Sequence, residues 1–181
     1  MIRDEAWAEW IRSTVSRFET PLLLYATRFV GNTEAAQDIV QETFLRLCGQ
    51  DRAAVEAHLN VWLFSVCRNF ALEVRRKQSR LQEFTAPMAQ ITPASTSPVG
   101  QRLENQEALD QIMAALSKLP ESQQEVIRLK FEHGLSYREI SEVTKLTVTN
   151  VGFIIHMGLK RVRERVAGKT EQVGGAGMEQ A

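Results

Sequence analysis

Three carboxylates stand one helical turn apart in the N-terminal half of this chain: Glu34, Asp38 and Glu42. On a helix they share one face. That pattern admits a divalent cation or a solvated acidic face. Four-helix dimetal sites complete their ligand set with Glu-x-x-His pairs, and this segment contains no histidine. His58, His133 and His156 lie far apart without ligand spacing, and Cys48 and Cys67 form neither a metal pair nor a disulfide framework. Each cysteine sits among apolar residues at helical spacing, where a free thiol behaves as a small buried hydrophobe. With no Ser/His/Asp set and no Gly-rich phosphate loop, nothing supports an enzyme, and no metal or cofactor is expected.

The other chemistry on offer is hydrogen bonding to nucleic acid. Residues 136–162 read as a helix-turn-helix. Ser136 caps a short helix with Ile140 and Val143 inward and Ser141 close to the second helix. Lys145-Leu146-Thr147 is the turn, with Leu146 inward, and Thr147 caps the second helix. Val148, Val151, Ile154 or Ile155, Leu159 and Val162 make its inner stripe. Such a helix enters the major groove and reads bases with its first turns. There its outward face offers Thr149, Asn150, Gly152, Phe153 and His156, with Thr147 a further hydrogen-bonding group and Phe153 suited to thymine methyl groups. Lys160, Arg161, Arg163 and Arg165 follow and are placed for phosphates. The turn carries Lys145 where glycine is usual, and Ser141 stands where a small alanine commonly packs. Taken alone, the segment fits a stand-alone helix-turn-helix repressor equally well.

The elements that must position these groups are helical throughout. Trp7, Trp10, Ile11, Val15 and Phe18, then Leu22, Tyr25, Ala26 and Phe29, recur at three and four, and Gly31-Asn32 ends that helix. Thr33 is placed to cap the next, which carries Ile39, Val40, Phe44, Leu45 and Leu47 before Gly49. Residues 49–59 are a polar connector. Asn60 is placed to cap a helix whose core face is Trp62, Leu63, Val66, Phe70 and Val74. Residues 85–100 hold three of the 5 prolines, several Ser and Thr, and no charge, the composition of a flexible linker. Helical spacing resumes with Leu103, Ala108, Leu109, Ile112, Met113 and Leu116. Pro120 opens a helix with Val126, Ile127, Leu129 and Phe131, closed by Gly134. The expected architecture is all-α: an N-terminal helical domain over 1–84, a flexible linker over 85–100, a helix-turn-helix domain over 101–168 and a disordered tail over 169–181. The charged N-terminus has no unbroken apolar run, and no stretch approaches the roughly 20 apolar residues of a membrane span. The chain is expected to be cytoplasmic, without membrane insertion.

Three segments in order carry a family resemblance: Ala35–Leu47 (AAQDIVQETFLRL), Val61–Lys77 (VWLFSVCRNFALEVRRK) and Leu119–Ser141. Together, over about residues 5–166, they resemble bacterial sigma factors of the extracytoplasmic-function group in the sigma-70 family. The resemblance implies that the face of Asp38, Gln41, Glu42 and Leu45 docks on core RNA polymerase. It implies that the helix bearing Arg68, Asn69, Arg75, Arg76 and Lys77, with the loop before it, engages the −10 promoter element. It assigns the −35 element to the recognition helix, through Thr147, Thr149, Asn150, Phe153, His156 and Lys160. Trp62 matches a family tryptophan, and its spacing places it in the core. An anti-sigma factor clamping both domains is a candidate partner, because many family members have one. The recognition helix departs from the family pattern: Gly152, Phe153 and Ile154 follow Val151 where basic and small polar residues are common, so no −35 sequence carries over. Formal net charge is zero, with 11 basic against 10 acidic residues in 1–80 and 10 against 9 in 101–168. Such balance disfavours tight DNA binding by the chain alone, since phosphate neutralisation supplies most non-specific affinity. It fits a protein that meets DNA within a larger complex.

Overall fold

In the computed structural model the backbone is described for residues 5–84 and 103–174, and side chains for 5–80 and 109–166. Every element among them is helical, and the chain divides into two compact units, Met1–Ser95 and Thr96–Ala181. The expected linker, 85–100, lies outside the described residues.

The first unit contains α1 (Glu5–Val30), α2 (Thr33–Cys48), α3 (Arg52–Val55) with a 3-10 turn at Glu56–His58, and α4 (Leu59–Phe84). Helices α1, α2 and α4 pack pairwise. Gly31, at φ 67°, donates its N–H to Thr27 O at 2.7 Å and closes α1. A left-handed residue here suits glycine, which has no Cβ to clash. The cap of α2 is Asn32, not Thr33: its Oδ1 accepts from the N–H of Glu34 at 2.8 Å and of Ala35 at 3.4 Å. An asparagine oxygen satisfies two donors that the helix itself leaves orphaned. Asn60 is likewise not a cap, because the 3-10 turn runs directly into α4.

The core of this unit is formed by Phe18, Leu22, Tyr25 and Ala26 of α1, Ile39, Val40 and Leu47 of α2, and Leu63, Phe64, Cys67 and Ala71 of α4. Tyr25 meets Phe64 edge-on, with ring centroids 5.2 Å apart. The stripe of α4 is thus turned from the expected one: Trp62, Val66, Phe70 and Val74 are only half-buried. The apolar residues on α4 cover more than one stripe, and packing against both α1 and α2 selects the row containing Phe64 and Cys67. Trp7 and Trp10 are also half-buried, and Trp10 lies under the Arg52 guanidinium at 5.5 Å.

The second unit contains α5 (Leu103–Leu116), α6 (Glu121–Phe131), α7 (Tyr137–Thr144) and α8 (Val148–Gly174). Helix α8 packs on the other three. Val126, Leu129, Leu135, Ile140, Val143, Val151 and Ile155 are buried, beside a cluster of Ala115, Leu116, Leu119, Ile127 and Val162. Gly158 of α8 faces α6: a Cβ there would press on Ile127 Cδ1, the far end of a side chain that would have to turn aside, and would stand 3.6 Å from Leu119 Cδ1.

Several expected core positions are exposed. Leu109, Ile112 and Met113 are exposed because α5 buries itself on α8 through its last turn, at Ala115 and Leu116. Phe131, at the end of α6, and Val148, the first residue of α8, lie beyond the reach of a covering helix. Part of the expected disordered tail, 169–174, is helical backbone continuing α8. One interior glycine, Gly168, costs about 1 kcal/mol and does not stop a helix already held by packing. Residues 175–181 lie outside the described residues.

Candidate nucleic-acid interface

The second unit builds its outward face from three local devices. Ser136 and Glu139 form a capping box: Ser136 N–H donates to Glu139 Oε2 at 2.7 Å, and Glu139 N–H to Ser136 Oγ at 3.3 Å. Lys145 then takes the left-handed conformation, φ 64° and ψ 21°, that a turn between crossed helices requires. Ser141 Oγ donates to Leu146 O at 2.5 Å and ties α7 to the turn. Thr147 Oγ1 accepts from Asn150 N–H at 3.2 Å, capping α8.

These devices leave Thr147, Thr149, Asn150, Phe153, His156 and Lys160 exposed, all on the second unit. Phe153 is 62% exposed, a large ring with no shelter in its own unit. The oxygen of Thr147 is engaged at the cap, while Thr149 and the Asn150 amide stand on the outer face. Lys160 Nζ lies 3.9 Å from Glu164, and on α7 Arg138 lies 3.4 Å from Glu142. Tyr137 and Lys130 join this face and were not singled out in the sequence. Tyr137 is 40% exposed, with the Lys130 ammonium 5.5 Å from its ring centroid. The signal for Tyr137 is an aromatic residue directly after the Ser136 cap.

The basic residues of α4 separate into two rows. Asn69, Arg76, Lys77 and Arg80 are exposed, whereas Arg68 and Arg75, seven residues apart, are half-buried against the helix packing. Lys77 pairs with Glu73 at 2.9 Å, and that hydrogen bond holds the Glu73 carboxyl below its usual range.

On α2 the buried residues Ala36, Ile39, Val40, Thr43 and Leu47 occupy one side. Asp38, Gln41, Glu42 and Leu45 are all exposed, Leu45 by 60%. Glu42 lies 3.8 Å from Arg46, whose guanidinium sits 4.6 Å over the Phe70 ring of α4. Arg46 therefore braces this face against α4, a role visible in sequence only as a Glu-Arg pair four apart. Among the described residues no three His, Cys, Asp or Glu side chains gather as a metal site, and no helix is long and apolar enough to cross a membrane.

These surfaces fall within two family matches. Residues 14–81 match sigma-70 region 2, and residues 109–162 match sigma-70 region 4. The chain is 30% identical over 132 residues to the ECF RNA polymerase sigma factor EcfG of Rhodopseudomonas palustris, covering 72% of this chain and 70% of that protein. It is 28% identical over 149 residues to SigW of Bacillus subtilis, with 77% and 79% covered. It is 26% identical over 163 residues to SigE of Mycolicibacterium smegmatis, where the match takes in 90% of this chain but 62% of that protein's length. In fold it is similar to the sigma factor RpoE of Bartonella quintana, solved with the anti-sigma factor NepR: TM-score 0.62, 19% identity, 86% of this chain and 96% of that one. The chain belongs to the extracytoplasmic-function sigma factors of the sigma-70 family, which act in transcription initiation and are not enzymes.

Proposed function

We propose that this protein is an alternative sigma factor that binds core RNA polymerase and directs it to a particular set of promoters in the cytoplasm. Helix α2 docks on polymerase through Asp38, Gln41, Glu42 and Leu45. Helix α4 engages the −10 element through Arg68, Asn69, Arg75, Arg76 and Lys77. Helix α8 reads the −35 element through Thr147, Thr149, Asn150, Phe153 and His156, with Lys160 on the backbone.

The observation carrying this reading is the face of α2. A leucine 60% exposed beside Asp38, Gln41 and Glu42 serves no core of its own unit. A stand-alone repressor has no need of it, while a sigma factor needs such a face to reach polymerase. The near balance of charge in each half supports DNA binding within a complex. An anti-sigma factor belongs among the candidate partners, since the RpoE relative was solved with one.

Pull-down of purified protein with core polymerase, followed by run-off transcription on genomic fragments, tests the proposal. Stable binding to core and promoter-dependent transcripts are expected. No binding to core, together with tight duplex binding by the chain alone, would overturn it in favour of a repressor.

A further inference from the structure

Tyr137 is the first residue of α7, and its ring edge lies against α8 at Gly152. A Cβ at Gly152 would stand 3.6 Å from the ring Cε2 and 3.8 Å from Cδ2. Gly152 is half-buried at the edge of the outward face of α8, three residues after Thr149, four before His156 and next to exposed Phe153. Where α8 has no side chain to offer, a ring from the neighbouring helix takes the place. The Lys130 ammonium lies 5.5 Å from that ring, and exposed Arg138 follows Tyr137 directly. Exposed aromatic surface beside cations matches a duplex: the rings meet the thymine C5-methyl groups of the major groove, and the cations meet phosphates.

We infer that Tyr137 is a specificity-determining residue. Its ring, carried over the bare backbone at Gly152 and joined by Phe153, selects thymine in the −35 element by contact with the C5-methyl. The inference rests on the reading of α8 as the −35 helix.

The test uses holoenzyme assembled from core polymerase and the full chain, selected on promoters randomised across the −35 element. Wild type enriches thymine at one or two positions, and Tyr137→Ala loses that enrichment. Each enriched thymine is then replaced by deoxyuridine, which removes only the methyl. Wild-type binding falls about fourfold per position, the worth of one buried methyl group, while Tyr137→Ala is indifferent. A wild type with no −35 preference at all overturns the −35 reading itself. A wild type with a clear preference but no response to deoxyuridine overturns the role of Tyr137 alone, and that arm requires no variant to fold. Uniform weakening of every sequence by Tyr137→Ala also overturns it, since a phosphate contact would act in that way.

Discussion

Lys145 holds the turn between α7 and α8 at φ 64° and ψ 21°, the one non-glycine residue with positive φ among the described residues. For an L-residue with a Cβ this conformation costs about 1–2 kcal/mol. Lys145→Gly removes that cost and returns about 0.4–1 kcal/mol through the freer unfolded chain. The net expectation is a gain of about 0.5–1 kcal/mol, or about 2–8 °C in the melting of a unit this size. Lys145→Pro should act oppositely. Its ring fixes φ near −65°, far from the required value, and misplacing the turn should cost about 3 kcal/mol or more. The two units need separate reporters, because a chain of two domains need not melt as one. Trp7, Trp10 and Trp62 all lie in the first unit. Tryptophan fluorescence should therefore be unmoved by either substitution, while the circular-dichroism transition of the second unit shifts up for glycine and down for proline. A lower melting temperature for Lys145→Gly would refute the assignment of strain to this turn.

Four further outcomes are expected. Asp38→Ala with Gln41→Ala should weaken capture by core polymerase at least tenfold without altering the melting profile, since both side chains are exposed; undiminished capture would remove α2 as the docking face. Asn150→Ala should change the −35 bases preferred by holoenzyme and leave core affinity intact, with about 1–3 kcal/mol lost at the position it reads; an identical preference would exclude it as a base contact. Gly158→Ala places a methyl against Ile127 Cδ1, and Ile127→Val, by deleting that atom, should recover stability in the double mutant; purely additive losses on denaturant titration would contradict the contact. Burial pushes the Cys67 thiol up to about 12 from the ordinary 9.0, against a smaller lowering by Thr43. The raised value favours the protonated form in the fold. Its contribution to stability is therefore intact below pH 9 and is lost as pH climbs from 9 toward 12. In native buffer iodoacetamide should modify half-buried Cys48 before Cys67, as peptide mass spectrometry can follow; equal rates would count against the burial.

The helices and both caps of the helix-turn-helix were legible because their signals are local. Ser136 with Glu139, Thr147 with Asn150, and Gly31 at a helix end each act within four residues. Choosing which apolar row faces inward was harder. Helix α4 carries apolar groups on two adjoining rows, and only the joint presence of α1 and α2 selects Phe64, Cys67 and Ala71 over Trp62, Val66 and Phe70. Leu109, Ile112 and Met113 have helical spacing yet stand exposed, because periodicity cannot say how far along its length a helix is covered. On the outward faces, Asp38, Asn69 and Asn150 were readable as polar positions opposite an apolar stripe. The seating of Tyr137 at Gly152 was not, since it joins residues fifteen apart through a turn whose geometry Lys145 sets against its own preference.

The ion pairs one turn apart have a consequence for how the protein finds its target. Lys77, Arg138 and Lys160 each stand within 4 Å of a carboxylate on their own helix: Glu73 at 2.9 Å, Glu142 at 3.4 Å and Glu164 at 3.9 Å. A phosphate approaching such a cation competes with a tethered counter-charge that cannot diffuse away. Fewer mobile ions are set free on binding, so affinity falls less steeply with salt than a count of basic residues implies. On the proposed reading of these cations as phosphate contacts, the same competition would work against the free chain settling on arbitrary duplex. Time spent on DNA would then be governed by the polymerase that carries the chain and by the bases it meets, rather than by the charge of the chromosome.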